Sequence, residues 1–394
     1  MSRHDGLTLT GISKAYGDIQ ALSDVNLDVA PGEVVAVTGP SGAGKSTLCK
    51  CIAGLERPDG GGISLGGREI AGDPPGKRGI AFLFESYALY PHKTVFENAA
   101  SPLRVPGRSS SLSGAELADR IGRELDKLAI GHLADRLPSE LSGGQKQRAA
   151  LARALVQDSA AITMLDEPIS HLDAKLRHRL RGEIKRELMA RDAPAIWVTP
   201  DGLEALSVGD RVAVLIGGKI AQFGTPREIW ENPASVDVAR LIGDPPMNLL
   251  SARLRENDGQ VTAELDDGMR LLLPPESVER LVAAAGKESL PDGAVTIGVK
   301  PRDIRIIRLE DIDVMTSEVV SLEPFGKHSL VTLSLGQSVV RAKTRDDMGV
   351  KAGERVGLSF AGSITFFEAK TGNRIVTGWE EQGGETERRA VPAL

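Results

Sequence analysis

A glycine-rich segment between an apolar run and a helix-compatible run carries the strongest chemical signal in the chain. Val34–Val37 is rich in β-branched residues, and Gly39-x-x-x-x-Gly44-Lys45-Ser46 follows directly. A strand, a glycine-rich turn and a helix start in this order point successive backbone N–H groups inward, where they bind phosphate. We expect Lys45 to reach the phosphates of a nucleotide and Ser46 to ligate Mg²⁺; a chance glycine turn is the alternative. The predicted phosphate loop consists of Gly39, Pro40, Ser41, Gly42, Ala43, Gly44, Lys45, Ser46 and Thr47.

Two adjacent carboxylates end a second apolar run. Ala161–Leu165 leads into Asp166 and Glu167. A carboxylate at a strand end can hold Mg²⁺, and its neighbour can polarise an attacking water. The pair could instead only cap the following turn, but a phosphate loop upstream favours the catalytic interpretation, with Asp166 at the metal and Glu167 as general base.

A third segment that could bind a ligand has a serine and two glycines at the predicted start of a helix. The sequence from Leu141 to Arg148 reads LSGGQKQR, and Ala149–Val156 continues with helix-forming residues. A serine hydroxyl and unpaired N–H groups at a helix start form an anion site. The predicted anion-binding segment is Ser142, Gly143, Gly144 and Gln145.

Aromatic residues are concentrated in one short stretch, although they make up only 4% of the chain. The stretch forms either a local hydrophobic cluster or a docking surface for a partner helix, and the segment alone favours neither. Tyr16, which lies apart from it, either packs in a sheet or stacks on adenine. The concentrated residues are Phe82, Phe84, Tyr87, Tyr90 and Phe96.

Length and charge restrict the classes of protein that fit. A chain of 394 residues is too long for one ordinary core. A formal net charge of −6 gives no general attraction for polyphosphate, which argues against a nucleic-acid partner. Cys49 and Cys51, two residues apart on a helix, face different sides and are expected to be small buried hydrophobic residues in a reducing cytosol. No stretch is long enough and apolar enough to cross a bilayer.

The remaining pattern predicts which elements position these residues. Alternating runs predict two strands before the phosphate loop, and Ser113-x-x-Glu116, Asp201-x-x-Glu204 and Thr225-x-x-Glu228 predict helix starts. Composition changes at Gly243–Pro246, after which short strands with frequent turns suggest a small barrel. We therefore expect domains at 1–242, with a helical subdomain at about 86–158, and at 243–379, followed by a polar tail at 380–394.

The order of phosphate loop, LSGGQ, carboxylate-ended strand and SxLD resembles the ATP-binding subunit of an ABC transporter. FESYALYPHKTVFEN, IGDPPMNLL and the barrel-like extension are similar to the carbohydrate-uptake ATPases of the maltose-transporter type, which include importers of polyols and glycerol phosphate. The resemblance implies an α/β P-loop ATPase domain with a helical subdomain, followed by a small all-β OB/TOBE-like domain.

The resemblance also implies partners and roles. Two ATPase subunits would face each other, each ATP lying between one phosphate loop and the other subunit's Ser142–Gln145, with Tyr16 on adenine and Asp173 communicating between the sites. Membrane permease subunits would dock at the cytoplasmic face of the membrane, and an external solute-binding protein would act indirectly. The docking residues implied are Tyr87, Tyr90, Pro91 and His92.

Two positions depart from the family pattern. Glu85 stands where the family has a glutamine that contacts the metal, and Pro200 stands where it has a histidine that contacts the γ-phosphate. A carboxylate can still bind Mg²⁺, whereas proline offers neither a side-chain donor nor an N–H. We therefore expect an asymmetric pair, in which this chain binds ATP and a histidine-bearing partner ATPase hydrolyses it faster. The alternatives are a fully competent homodimer and an ABC ATPase or ATP-dependent regulatory module outside transport.

Overall fold

The chain divides into two compact units, Met1–Ile229 and Trp230–Leu394. The computed structural model describes residues 6–104, 113–257, 260–274, 276–279, 281, 294–307, 315–345, 349–361 and 364–375. The polar tail expected at 380–394 lies outside the described residues, and the predicted domain boundary at 242 stays a prediction. Among the described residues, no helix has the length and apolar character needed to cross a bilayer.

A four-stranded antiparallel sheet begins the first unit. Its strand order is β2-β1-β4-β5. Both strands predicted before the phosphate loop are present. Alternate residues of each strand are buried in one core, which agrees with the alternating sequence pattern. The bounds are β1 Leu7–Tyr16, β2 Ile19–Val29, β4 Gly60–Leu65 and β5 Arg68–Glu69.

A six-stranded sheet in the order β10-β9-β3-β8-β7-β6 carries the chemistry of the first unit. Its strands are parallel except for β10, which pairs antiparallel with β9. Every residue of β3, β7 and β8 is buried, as expected for strands covered on both faces. The carboxyl ends of the parallel strands share one edge, which is where ligands bind in such sheets. The bounds are β3 Val34–Thr38, β6 Ile80–Leu83, β7 Ile162–Asp166, β8 Ala195–Val198, β9 Arg211–Ile216 and β10 Lys219–Gly224.

Helices surround this sheet, and their starts agree with the predicted caps. The Ser113–Glu116 and Ser142–Gln145 capping boxes are both formed, and the Asp201 side chain accepts from the N–H groups of Leu203 and Glu204. The bounds are α1 Lys45–Ala53, α2 Val95–Ala100, α3 Gly114–Lys127, α4 Gly143–Leu155, α5 Ala174–Met189, α6 Gly202–Val208 and α7 Pro226–Glu231. Both cysteines are free and buried in α1, as predicted.

The second unit is mainly antiparallel sheet. Two five-stranded sheets have the orders β13-β12-β11-β14-β20 and β15-β19-β16-β17-β18, and they share one apolar core. One short helix, α8 at Val236–Leu241, precedes them. The sequence analysis did not single out β11, β15 and β19, and assignment to the OB/TOBE class stays a prediction. The bounds are β11 Asn248–Asn257, β12 Gln260–Leu265, β13 Arg270–Leu272, β14 Ala294–Val299, β15 Ile304–Ile307, β16 Met315–Pro324, β17 His328–Leu335, β18 Ser338–Arg345, β19 Arg355–Phe360 and β20 Thr365–Glu368.

Candidate active site

The phosphate loop follows β3 and runs directly into α1. Gly44 begins the helix at φ 105°, in the left-handed region that favours glycine. A Cβ on Gly44 would lie 2.5 Å from the carbonyl oxygen of Ala21, and a Cβ on Gly39 would lie 2.0 Å from that of Leu215. The two glycines are therefore required by close packing of backbone on backbone, and the loop has the strand-turn-helix geometry of a phosphate cradle.

Lys45 is folded back onto the loop that precedes it. Its side-chain nitrogen donates to the carbonyl oxygens of Gly39 at 2.7 Å and Pro40 at 2.9 Å, and the residue is only 8% exposed. Burial lowers the pKa of Lys45, and this effect is opposed by the nearby Glu167, Asp166 and Glu85 carboxylates. The ammonium can exchange the two carbonyl oxygens for phosphate oxygens without leaving the loop.

The Glu167, Asp166 and Glu85 carboxylates lie near enough to Lys45 to interact with its charge. Asp166, the last residue of β7, is 5% exposed. The pKa of Asp166 is raised to about 6, mainly by burial and further by the Glu85 and Glu167 carboxylates, while Ser46 and Lys45 act in the opposite direction. Hydroxyl and carboxylate oxygens are the ligands that Mg²⁺ prefers, and the negative charge exceeds that of Lys45. Ser46, Asp166 and Glu85 stay the predicted magnesium ligands, and among the described residues no group of three or more His, Cys, Asp and Glu side chains is placed to hold a metal ion.

Glu167 has an unusual backbone conformation. Its φ is +51°, in the left-handed region that few non-glycine residues adopt. Its N–H donates to the Val198 carbonyl at 2.9 Å, and its carbonyl accepts from Gln147 Nε2 at 2.7 Å and Ser170 Oγ at 3.2 Å. The Ser170 N–H donates to the same carbonyl at 3.5 Å, so four hydrogen bonds fix the direction in which the chain leaves β7.

Pro200 occupies an exposed position directly after the neighbouring strand β8 and Thr199. The Thr199 N–H donates to the Val37 carbonyl at 3.1 Å, and the Asp201 N–H donates to Thr199 Oγ1 at 3.2 Å. Proline fits between a strand end and a helix cap, where a missing N–H breaks no backbone pair. It leaves this edge of the sheet without a donor at position 200.

The predicted anion-binding segment, Ser142–Gln145, forms the N-terminus of α4 and is called the signature segment from here on. The Ser142 N–H donates to Gln145 Oε1 at 2.8 Å, and the Gln145 N–H donates to Ser142 Oγ at 3.4 Å. Ser142 and Gly143 are exposed. Within the described residues, no hydrogen bond or ion pair joins this segment to the phosphate loop.

Tyr16 lies at the end of a strand, whereas Asp173 lies at the start of a helix. Tyr16 ends β1, is 42% exposed and has the Lys14 ammonium 5.5 Å from its ring centroid. Asp173 precedes α5, where its carboxylate accepts from the Leu176 N–H at 2.9 Å. The structure leaves the Tyr16 ring available for stacking and shows that Asp173 also caps a helix.

The aromatic stretch forms an open groove of about 450 Å³. Arg153 of α4 donates to the carbonyls of Tyr87 at 2.7 Å and Ala88 at 2.6 Å, both of which have positive φ. Of the four residues predicted for docking, only Tyr90 lines the groove, whereas Pro91 and His92 are exposed beside it. The lining residues are Ala53, Leu55, Pro75, Ile80, Phe82, Phe84, Ala88, Tyr90, Ser101, Pro102, Arg153 and Gln157.

Comparison with known proteins identifies this arrangement. The profile of the ABC transporter family matches residues 22–170. The sn-glycerol-3-phosphate import ATP-binding protein UgpC of Rhizobium meliloti is 40% identical over 379 residues, which cover 94% of this chain and 99% of that protein. The trehalose/maltose import ATP-binding protein MalK of Thermococcus litoralis is 37% identical over 385 residues, covering 94% and 99%. The chain belongs to the ATP-binding proteins of ABC transporters.

A little more than half of this ABC protein resembles a solved structure in fold. The dimeric post-hydrolysis structure of the ATP-binding cassette MJ0796, bound to ADP and Pi, is similar with a TM-score of 0.52 and 31% identity. The matched region covers 56% of this chain and 99% of the MJ0796 chain. The predicted family and the predicted fold class are therefore confirmed, and the ABC protein is a transport-coupled ATPase.

The sequence analysis missed Gln147 of the ABC protein. Gln147 is 1% exposed and donates to Glu167, yet no motif argument singled it out. The signal was present, because Gln147 stands at helical spacing with the buried Ala150, Leu151 and Ala154 of α4. A lone glutamine in an apolar helix stripe must find buried hydrogen-bond partners.

Proposed function

We propose that this ABC protein is the nucleotide-binding subunit of an importer for a carbohydrate, polyol or glycerol phosphate. The observation that carries the proposal is the grouping of Lys45, Ser46 and Asp166 at one sheet edge, behind a loop shaped for phosphate. The substrate class comes from the relatives, which are named for glycerol-3-phosphate and for trehalose/maltose import. The protein would act at the cytoplasmic face of the cell membrane, held there by permease subunits that receive solute from an external binding protein.

The chain's own residues supply most of what ATP hydrolysis needs. Residues 39–47 would hold the phosphates, Tyr16 would stack on adenine, and Ser46 and Asp166, with Glu85 beside them, would hold Mg²⁺. The bound ion would neutralise charge on the phosphate oxygens. Glu167, fixed by four hydrogen bonds to its backbone, would accept a proton from the attacking water.

A second ATPase subunit would complete each nucleotide site. The exposed signature segment, Ser142–Gln145, makes no described contact with its own phosphate loop, and the solved relative MJ0796 is dimeric. We place this segment over the nucleotide of the partner, with Asp173 in the surface between the two subunits. The unit boundary we propose by resemblance is at 242/243, with an OB/TOBE-like regulatory domain at 243–379.

The groove would receive a helix of a permease subunit. Its apolar lining, with Phe82, Phe84 and Leu55, offers a surface for a short amphipathic helix. Arg153 and Ala88 line the groove, and Arg153 donates to the carbonyls of the positive-φ pair Tyr87–Ala88, so a helix pressing on the groove would act on the backbone that leads from Glu85.

The pair would be asymmetric, because position 200 offers no donor to the γ-phosphate. Removing one preorganised donor from a charged transition state costs on the order of 10²–10³ in rate. The competing possibility is a competent homodimer, favoured by the presence of Glu167, Asp166 and Lys45. A non-transport ATPase is the more distant alternative.

The purified chain and its Pro200→His variant separate these possibilities. Under asymmetry the wild-type chain hydrolyses Mg-ATP slowly, and the variant gains about tenfold or more in kcat with little change in Kd for Mg-ATP. Ordinary turnover by the wild-type chain, with no gain in the variant, would establish the homodimer instead. Co-purification with integral membrane proteins tests transport, and association with ribosomes or DNA would overturn it.

A further inference from the structure

Gln147 is a buried amide whose side chain makes three directed hydrogen bonds. Its Nε2 donates to the Glu167 carbonyl at 2.7 Å and to Ser170 Oγ at 3.2 Å, and its Oε1 accepts from the His171 N–H at 3.2 Å. Exchanging the amide oxygen and nitrogen would set donor against donor and acceptor against acceptor, so the partners fix the amide orientation. A 1% exposed amide with these contacts holds the turn 167–172 at both ends.

The turn held in this way contains the strained residue of the site. Glu167 has φ +51°, and without Gln147 its carbonyl would keep only the longer bonds from Ser170, whose Oγ lies at 3.2 Å and whose N–H nitrogen lies at 3.5 Å. A non-glycine residue stays in this conformation only when the surrounding structure determines it. Gln147 therefore fixes the backbone from which the Glu167 carboxylate projects.

The same helix turn that bears Gln147 also bears the signature segment. Gln147 is two residues beyond Gln145 in α4. A Cβ on Gly144 would lie 3.1 Å from the His171 carbonyl oxygen, so the first turn of α4 packs directly against the turn 167–172. A displacement of the helix start would thus move the backbone around Glu167.

We propose that Gln147 is a positioning residue that couples the signature segment to Glu167 of the same chain. Contact of Ser142–Gln145 with the partner's nucleotide then sets the Glu167 backbone through α4 and the Gln147 amide. This inference rests on the proposed roles of Glu167 as general base and of Ser142–Gln145 as part of the partner's site.

The kinetic test uses the full-length chain with Gln147→Met, which keeps the volume and removes every hydrogen bond. We expect the single-turnover rate of Mg-ATP hydrolysis to fall about tenfold to hundredfold, as is typical when a residue orienting a catalytic group is removed. The Kd for Mg-ATP should stay within twofold, because Lys45 and Ser46 are untouched. Gln337→Met, at an exposed glutamine of the second unit, is the matched control and should change neither value.

A double-mutant cycle separates positioning from general loss of structure. Ser170→Ala removes the hydroxyl donor to the Glu167 carbonyl and leaves only the Ser170 N–H at 3.5 Å beside Gln147, so its effect on the rate should be strongly non-additive with that of Gln147→Met. Glu167→Gln tests the underlying assignment. If Glu167→Gln leaves the rate unchanged, the proposed catalytic role fails; if it abolishes hydrolysis while Gln147→Met does not slow it, the coupling fails alone.

A second measurement does not depend on turnover. Hydrogen–deuterium exchange of the peptide 165–173 should slow in the wild-type chain when a non-hydrolysable ATP analogue and Mg²⁺ are added. In Gln147→Met the analogue should still bind, but this protection should be largely lost. Equal protection in both proteins would overturn the inference.

Discussion

The Tyr87 hydroxyl lies 2.9 Å from Nδ1 of His171, although the two residues are 84 positions apart in sequence. Ser170 Oγ contacts the same nitrogen at 3.0 Å. Burial raises the pKa of Tyr87, with Glu167 and Glu85 contributing, so the hydroxyl remains a neutral donor or acceptor at physiological pH. The segment that borders the groove is thereby joined directly to the turn that contains Glu167.

Tyr87→Phe should weaken the response to membrane subunits more than it weakens nucleotide binding. The substitution keeps the ring against His171 and removes only the hydroxyl contact. We expect stimulation of ATPase activity by reconstituted permease subunits to fall about threefold to tenfold, while the Kd for Mg-ATP stays unchanged. His171→Phe should give the same pattern, and full stimulation in both variants would show that the contact carries no coupling.

Lys45→Met should abolish measurable Mg-ATP binding. The substitution removes the one cation among Glu85, Asp166 and Glu167, so the phosphates would meet uncompensated negative charge. Isothermal titration should show at least a hundredfold weaker binding. Lys50→Met, at an exposed lysine on the same helix, is the matched control and should bind as the wild type does. Unchanged binding by Lys45→Met would refute the assigned nucleotide site.

Asp166→Asn should stabilise the nucleotide-free protein at neutral pH. Burial raises the pKa of Asp166 from 3.8 to about 6, so the folded state favours the protonated form. That contribution is fully present below pH 3.8 and is lost as pH rises through about 6, which makes ionised Asp166 cost about 3 kcal/mol in the free energy of unfolding at pH 7.

Urea unfolding of the Mg²⁺-free protein from pH 4.5 to 7.5 checks this sign. The stability difference between Asp166→Asn and the wild type should grow in favour of the variant as pH rises. Asp192→Asn, at an exposed aspartate, should follow the wild-type curve. Parallel curves for Asp166→Asn and the wild type would contradict the prediction.

Tyr90→Ala should reduce assembly with permease subunits without affecting Mg-ATP binding. Tyr90 lines the groove at 45% exposure, and Asn98 holds its backbone by two hydrogen bonds, so truncation removes contact area and leaves the loop in place. Pull-down of co-expressed permease subunits should fall about tenfold. Met189→Ala, at an exposed apolar residue outside the groove, should leave assembly intact.

The parts of the molecule that the sequence predicts best are those whose causes are local. The phosphate loop and the caps at Ser113, Ser142 and Asp201 depend on a few consecutive residues, and all are present. The residue type and its spacing within the motif are enough to predict a glycine in the phosphate loop or a serine that caps a helix.

Contacts between distant segments were not predicted for a physical reason. The Gln147–Glu167 hydrogen bond exists because α4 packs against the end of β7, and the Tyr87–His171 contact exists because β6 and β7 are neighbours in the sheet. Neither packing relation is encoded by spacing within a motif. The positive φ of Glu167 has the same origin, since glutamate has no intrinsic preference for it.

The Lys45 ammonium donates to the Gly39 and Pro40 carbonyl oxygens, so the phosphate loop is held in its curled form by its own lysine. The curled backbone is therefore preorganised during folding, and an arriving nucleotide exchanges one set of oxygen acceptors for another without first having to order a collapsed loop. Product release would be the reverse exchange, in which the Lys45 ammonium again donates to the Gly39 and Pro40 carbonyl oxygens.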